Sequence, residues 1–595
     1  MKYNPLFRLA QRMDAVANYG KAKSVETLSL RLDSNESAAP DTKICVDGEL
    51  LPTTLLNLYP DDSELRAEIA DEFGLASEEV AITAGADDAL DRICRALLEP
   101  GRNMVLPVPT FEMIDRYVSL AGGSCKEVPW LEGCFPVDDV LAAVDDSTIA
   151  ICMVSPNNPT GAVASFADVL RISQAAPQCV LILDQAYAEF CSDCFPAELW
   201  QIPNLIVTRT FSKAWGLAGL RVGYALAAKP LIAALQAAGS PYSVSSLSLE
   251  IARRQLQAER ESMLYRVANT AKMTARLTQK LRQLDCDPKP SRANFVWAKA
   301  ANSSWLRDGL AGLGIAVRAF GDRPHLSDSI RFGCPSSIAD LERLERSLDV
   351  VLKPQALLFD MDGVLADVST SFRVAVEMTC LDFGVVTNQQ EIEKLKRRGG
   401  FNNDWVLTQK ILRDNGIEAS IAEIRILFDG HYKGQSDESN ESCPLTQLAP
   451  ANRSNPAVTL GLRQRESLLV TRETLADFAD RLPLAIVTGR PRCDAEYFLQ
   501  QFSLHEFFSE VICLEDAPSK PAPDAVELAL QRLGVDRAWM FGDTVDDIRA
   551  ARAAGVVPIG IVAPGQDPAA TAEVLNAAGA ARVLNNAAQI LELLK

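Results

Sequence analysis

The sequence predicts an α/β protein of two domains, each built on a mostly parallel sheet covered by helices. The first carries a small α+β lobe and the second a helical cap. Three observations predict this. At 595 residues the chain is too long for one core, since single cores stop growing near ~250–300 residues. From residue 80 to about 225, apolar runs of strand length alternate with helical patterns, as in parallel strands joined by helical crossovers. After Lys353-Pro354 a new buried run, QALLFDMDGV (355–364), begins a second such series.

The elements follow in order. VAIT (80–83), NMVLPV (103–108), TIAICMV (148–154), CVLILD (179–184) and NLIVTRT (204–210) read as strands. A long helical stretch, roughly 246–285, leads to short strands at ANFVWAK (293–299) and DSIRFGC (328–334). These make the smaller lobe, which a helix in SSIADLERLERSLDVVL (336–352) closes. The boundary is expected near residue 354, giving domains 1–353 and 354–595 on a linker too short for much relative freedom. In the second domain the insert at about 370–480 reads as a helical cap. Within it RRGGFNNDWVLTQKIL (397–412) reads either as a substrate-facing polar cluster or as a capped helix start. Residues 435–456 are rich in Ser, Asn and Pro and read as a surface loop.

Composition excludes several classes. A formal net charge of -19 argues against nucleic acid as a partner, because phosphate backbones need a positive surface. A local basic site for small anions is still compatible with it. No apolar run approaches the ~18 residues of a membrane span. The N-terminus lacks the apolar core of a secretory signal, so a cytoplasmic location is expected. The 14 cysteines are spread along the chain, and reduced thiols are expected in place of a disulfide framework or zinc knuckle.

TRTFSKAWGLAGLRVGY (208–224) sets Lys213 in a tightly built turn. A lysine acts as a nucleophile when its pKa is lowered or when it forms a Schiff base. Asp184 ends a buried run upstream, with Tyr187 three residues on. A carboxylate there suits a pyridinium nitrogen and makes the ring an electron sink. Asn158 stands in SPNNPTG, and Gly85-Ala86-Asp87 stand between a strand and a helix, where free N–H groups bind phosphate. Thr210, Ser212 and Arg221 add phosphate partners.

The order GAD, PTF, NNPTG, DxAY, SK and Arg, across residues 83–221, resembles the fold-type I, pyridoxal-phosphate-dependent aminotransferases. The resemblance implies that Lys213 carries the cofactor and moves the proton, and that Asp184 pairs the pyridine nitrogen. Tyr187 and Asn158 would contact the ring oxygen and Phe111 would stack on the ring. Ala86, Asp87, Thr210, Ser212 and Arg221 would surround the phosphate. LDSNES (32–37), NLYPDD (57–62), SRANFVWA (291–298), GIAVRAF (314–320) and SIRFGCP (329–335) resemble the histidinol-phosphate aminotransferase branch. That branch implies a homodimer in which Tyr59 reaches a neighbouring subunit's cofactor. It also implies substrate contacts from Arg331, Arg318, Tyr19 and Lys23. The chain departs from the branch in NESAAP (35–40) and in AGA (84–86).

LLFDMDGVLAD delivers Asp360 and Asp362 at the end of a buried run. LAIVTGRP then supplies Thr488, EDAPSKPAPD Lys520, and MFGDTVDDIRAA Asp543 and Asp547. This series resembles the haloacid dehalogenase superfamily. A carboxylate nucleophile, Asp360, can attack phosphorus, and Asp362 can protonate the leaving oxygen and then activate water. The resemblance implies Mg²⁺ held by Asp360, the Asp362 backbone and Asp543, supported by Asp547, with Thr488 and Lys520 on the phosphoryl oxygens.

Together the halves suggest a two-step enzyme that makes histidinol phosphate and then dephosphorylates it. Three alternatives stay open. The phosphatase half takes another small phosphate ester, the first half decarboxylates an amino acid phosphate, or the second half is a non-catalytic module.

Overall fold

The computed structural model describes residues 30–31, 59–191, 196–321, 323, 326–401, 403–434 and 461–594. Tyr19, Lys23, LDSNES, residues 57–58 and the 435–456 segment lie outside them. Among the described residues, 59–303 with 317–345 make one compact unit, and 304–316 with 346–594 make another. No helix among them is long and apolar enough to cross a membrane.

The first unit holds a seven-stranded sheet. In spatial order its strands are Val80–Thr83, Gly223–Ala227, Leu205–Thr210, Val180–Asp184, Thr148–Val154, Asn103–Val108 and Ser124–Pro129. Gly223–Ala227 runs antiparallel to both neighbours, and the remaining pairs are parallel. Val80–Thr83 and most central strands are buried on both faces, so their sequences are continuous apolar runs without alternation. Ser124–Pro129 and Gly223–Ala227 are not among the strands expected above. The first is an edge strand with polar, exposed positions, and the second is five residues long. A smaller antiparallel sheet of Arg318–Ala319, Ser329–Gly333, Phe295–Lys299 and Asp287–Lys289 forms the lobe. The expected 246–285 helix is two, Ser246–Ala258 and Arg260–Gln283, with Glu259 between them in a non-helical conformation.

The second unit has a wholly parallel six-stranded sheet. Its spatial order is Phe508–Ile512, Leu484–Val487, Ala356–Phe359, Ala538–Gly542, Val557–Ile561 and Arg582–Leu584. The two-stranded ribbon Ala366–Asp367 with Ser467–Leu468 marks where the chain leaves and re-enters this core. Between them lie the cap helices Phe372–Asp382, Gln389–Lys396, Asp404–Asp414 and Ile421–Lys433. Three of these start at side chains that accept from their own first-turn N–H groups, Asn388, Asn403 and Ser420.

One cysteine corrects the expectation of reduced thiols. Cys191 is disulfide-bonded. The spacing Cys191-Ser-Asp-Cys194 is a Cys-x-x-Cys pair that the expectation passed over.

Candidate active sites

In the first unit the parallel strands end along one edge, and the segments after them build the site, as open α/β sheets do. Asp184 closes Val180–Asp184, with Val154 and Thr208 as its neighbours across the sheet. Thr208 Oγ1 and the Ala186 N–H each donate to Asp184 Oδ1 at 3.1 Å. Burial pushes the Asp184 carboxyl up to about 6 against those two hydrogen bonds. A cation placed against it would restore the charged form.

Helix Gly85–Leu97 follows strand Val80–Thr83 with Gly85 at φ +82°. A side chain at Gly85 would come 2.8 Å from Arg221 Nη2, so glycine lets the guanidinium close over the helix start. The first N–H groups of any α-helix lack intrahelical partners, and here Ala86 and Asp87 face a cavity of about 260 Å³. Arg221 Nη2 donates to Asp87 Oδ2 at 2.9 Å, and Thr210 Oγ1 donates to Ser212 Oγ at 2.9 Å.

The same cavity gathers Phe111, Asn158, Asp184, Tyr187, Thr210, Ser212, Lys213, Arg221, Arg318 and Arg331. Lys213 Nζ lies 5.7 Å from the centroid of the Tyr187 ring, which packs edge-on against Phe295 at 5.4 Å. Buried Arg331 donates to Asn158 Oδ1. Tyr59 is not on the cavity wall; it is 78% exposed and stacks on Tyr242 at 4.5 Å. Two charged wall residues, Glu112 and Arg323, escape sequence reasoning. Glu112 accepts from Arg318 Nη2 at 3.4 Å and also from Arg323. Glu112 directly follows the PTF motif, but nothing in the sequence pairs it with arginines some 200 positions away.

In the second unit Asp360, Thr488 and Asp543 follow three adjacent strands, Ala356–Phe359, Leu484–Val487 and Ala538–Gly542. One carboxylate oxygen each from Asp360, Asp543 and Asp547 lie within 4.8 Å of one another. Lys520 Nζ sits 2.7 Å from Asp360 Oδ1 and 2.5 Å from Asp547 Oδ1, and donates to the Val487 carbonyl at 3.0 Å. Gly363, at φ +75°, has no room for a side chain, because a Cβ would stand 2.4 Å from Asp543 Oδ2. Burial raises the Asp360 carboxyl to about 7; Asp547 and Asp362 add to the rise and Lys520 opposes it. Burial, then Asp547 and Asp360, hold Asp543 well above the usual carboxylate range. Burial alone would lower the Lys520 ammonium, but Asp360 and Asp547 outweigh it and raise it. Hard oxygen donors at this spacing suit a divalent cation such as Mg²⁺.

The expected metal contact of Asp362 is through its backbone, not its carboxylate. Its carboxylate is outside the three-acid cluster and pairs with Arg490, whose Nε lies 2.6 Å from Asp362 Oδ1. Only its backbone is left to serve a metal there. Arg490 stands two residues after Thr488, whose Oγ1 accepts from the Arg490 N–H at 3.1 Å. In the cap segment the Gly-Gly-Phe-Asn-Asn-Asp run starts a capped helix. Asn403 caps its helix, and the Gly400 N–H donates to Asp546 Oδ2 at 2.7 Å, beside the acid cluster. Arg373, Lys396 and Arg397 of the cap line a narrow cavity shared with Asp543. None of the three is legible from a motif, since helix surfaces commonly carry such residues.

Residues 35–348 match the family model "Aminotransferase class I and II", and residues 354–555 match "haloacid dehalogenase-like hydrolase". The histidinol-phosphate aminotransferase of Ruminiclostridium cellulolyticum is 31% identical over 312 residues, 51% of this chain and 87% of that protein. The imidazoleglycerol-phosphate dehydratase of Phytophthora nicotianae is 39% identical over 246 residues, 39% of this chain and 50% of its own length. Among solved structures, histidinol-phosphate aminotransferase from Sinorhizobium meliloti in complex with pyridoxal-5'-phosphate aligns with a TM-score of 0.52 and 25% identity. That alignment covers 58% of this chain and 98% of the other.

Proposed function

Since this chain belongs to the class I and II aminotransferases and continues into a haloacid dehalogenase-like hydrolase, we propose that it is a bifunctional enzyme of consecutive steps. The first half transfers an amino group between glutamate and imidazole acetol phosphate, giving histidinol phosphate and 2-oxoglutarate. The second half removes the phosphate. One observation carries the reading: Lys213, Asp184, Arg221 and Arg331 line one cavity in the first half, and Asp360, Asp543 and Asp547 cluster beside Lys520 in the second. The names of the two relatives, both concerned with imidazole-type phosphates, support the substrate.

In the first half, Lys213, Asp184 and the helix start at Gly85 fit pyridoxal phosphate. When bound, it supplies an electron sink for the bond to the substrate Cα. Lys213 holds the cofactor and moves the proton at that carbon. Asp184 keeps the pyridine nitrogen protonated, Tyr187 and Asn158 bind the ring oxygen, and Phe111 stacks on the ring. Ala86, Asp87, Thr210, Ser212 and Arg221 bind its phosphate, while Arg331 and Arg318 grip the substrate's anionic end. Tyr59, exposed and away from its own cavity, serves a second copy in a homodimer; sedimentation at the mass of a single chain would remove that part.

In the second half Asp360 attacks phosphorus as the bond to the leaving oxygen breaks, and Asp362 gives that oxygen its proton. Water then attacks the phosphorus of the aspartyl-phosphate, Asp362 takes the water's proton, and inorganic phosphate leaves. Thr488 and Lys520 hold the phosphoryl oxygens. Mg²⁺, held by Asp360, Asp543, Asp547 and the Asp362 backbone, would neutralise charge on the phosphoryl group.

The test follows 2-oxoglutarate and inorganic phosphate together, with glutamate, imidazole acetol phosphate, pyridoxal phosphate and Mg²⁺ supplied. Both products are expected. Carbon dioxide release without 2-oxoglutarate would replace transamination by decarboxylation. Absence of both products from cofactor-loaded protein would reject the substrate for both halves.

Asp184 offers a check without turnover. Its folded carboxyl is raised from 3.8 to about 6. Below the unfolded value the acid is neutral in both states and carries no cost; as pH rises through the folded value the protein loses stability. Asp184→Asn therefore raises the Tm of cofactor-free protein at pH of about 7.5 and leaves it unchanged near pH ~4. Saturating pyridoxal phosphate reverses the order at the higher pH. A Tm difference independent of both pH and cofactor would contradict the assignment.

A second reading has its own observation. Buried Arg373 makes no side-chain hydrogen bond or ion pair among the described residues and lines the cavity beside Asp543. A buried cation there, with no side-chain hydrogen bond among the described residues, favours an ester with a second anionic group, such as a carboxylate. One charge-assisted contact contributes ~1.5–3 kcal/mol, so Arg373→Met is expected to raise KM for a carboxylate-bearing ester about 10–100-fold. An equal rise for neutral and anionic esters would exclude this reading.

A further inference from the structure

The hydrolase unit contains a buried charged network that none of the expected groups requires. Arg490, with a side chain 1% exposed, lies at its centre. Its Nε pairs with Asp362 Oδ1 at 2.6 Å, and its Nη1 reaches Glu466 Oε2 at 3.0 Å and the Tyr432 hydroxyl at 3.2 Å. Glu466 Oε1 accepts from the Ser371 hydroxyl at 2.8 Å and from the Tyr432 hydroxyl at 3.0 Å. The Phe372 ring lies 4.8 Å from the guanidinium.

These partners come from three parts of the unit. Arg490 follows a core strand, and Glu466 precedes the returning ribbon strand Ser467–Leu468. Ser371 and Phe372 begin the first cap helix, and Tyr432 ends the last. Such a network is seldom kept for stability, because desolvating the charges offsets most of their attraction. Its one partly exposed member is Asp362, 29% exposed. The pairing occupies Oδ1 only, and Oδ2 has no hydrogen bond among the described residues.

We propose that Arg490 is a positioning residue that ties the orientation of the Asp362 carboxylate to the seating of the cap through Glu466 and Tyr432. The proposal rests on the hydrolase reading above. A cap seated on Glu466 fixes the guanidinium, and the guanidinium turns Asp362 Oδ2 towards the leaving oxygen. If the cap lifts, the Tyr432 and Ser371 contacts part and Asp362 loses its fixed direction. Lysine cannot replace this arginine, because one ammonium cannot span a carboxylate, a second carboxylate and a hydroxyl in a planar fork.

The test uses the full chain with Mg²⁺ and reads release of the phenol or nitrophenol in the first turnover, before water attack, on two probes, phenyl phosphate and 4-nitrophenyl phosphate. The nitrophenolate leaves without needing a proton, whereas the phenolate leaves better with one. Arg490→Lys is expected to slow the phenyl phosphate first turnover about 100-fold and the 4-nitrophenyl phosphate one less than about 5-fold. Tyr432→Phe keeps every charge and shows the same split at smaller size. Equal losses on both esters, with KM rising alongside, would overturn the proposal and leave Arg490 a structural residue. No Asp360-dependent phosphate from either ester in wild-type protein would remove the hydrolase reading itself, and the proposal with it.

Discussion

Lys213→Ala is expected to abolish 2-oxoglutarate formation, by on the order of 10⁴-fold or more, while phosphate release from added histidinol phosphate stays at the wild-type rate. The magnitude follows from losing a proton-transfer group, worth about 10²–10⁴-fold, together with the cofactor's attachment point. Ten-thousand-fold corresponds to roughly 5.5 kcal/mol of barrier. Lys213 lies in the turn after Leu205–Thr210 and faces the cavity beside Tyr187. The second half is untouched because its groups belong to another compact unit. Starting from imidazole acetol phosphate, 2-oxoglutarate vanishes and phosphate falls to whatever the hydrolase releases from that ester itself, since no histidinol phosphate forms. Retention of more than about a tenth of the transamination rate would sink the role given to Lys213.

Asp360→Asn is expected to produce the mirror image. Phosphate release falls by on the order of 10⁴-fold, since the amide is a poor nucleophile and breaks the pairing with Lys520, whereas 2-oxoglutarate still forms and histidinol phosphate accumulates. Asparagine keeps the size of the side chain, so the strand end and the neighbouring acids keep their places. The substitution also removes one negative charge from a crowded cluster, in which Asp360, Asp543 and Asp547 share a space less than 5 Å across. The variant should therefore fold at least as well as wild type, which separates loss of chemistry from loss of structure. If Asp360→Asn loses transamination as well, the two activities are not independent in the way proposed. If it keeps phosphate release, another group is the nucleophile.

Much of the frame was legible in the sequence because it rests on local rules. Strands Val80–Thr83, Asn103–Val108 and Thr148–Val154 coincide with apolar runs, since a strand buried on both faces has to be apolar throughout. Asp184, Asp360 and Asp543 were legible for the same reason, as each is the first charge after such a run and ends at the edge where parallel sheets place their sites. Where burial was partial, as in Ser124–Pro129, the pattern lost its contrast.

By itself the sequence determined two α/β units, most of the buried strands along the chain and the residue types carried at their ends. These depend on chain-neighbour periodicity and on short motifs. Only the tertiary structure decided that Asp362 turns from the acid cluster to Arg490, 128 residues away, and that Glu112 sits between Arg318 and Arg323. It alone also placed buried Arg373 on a cavity shared with Asp543, with no side-chain hydrogen bond among the described residues. Ion pairing is set by distance in space between side chains on different elements, and no local pattern encodes which distant charge will be the nearest.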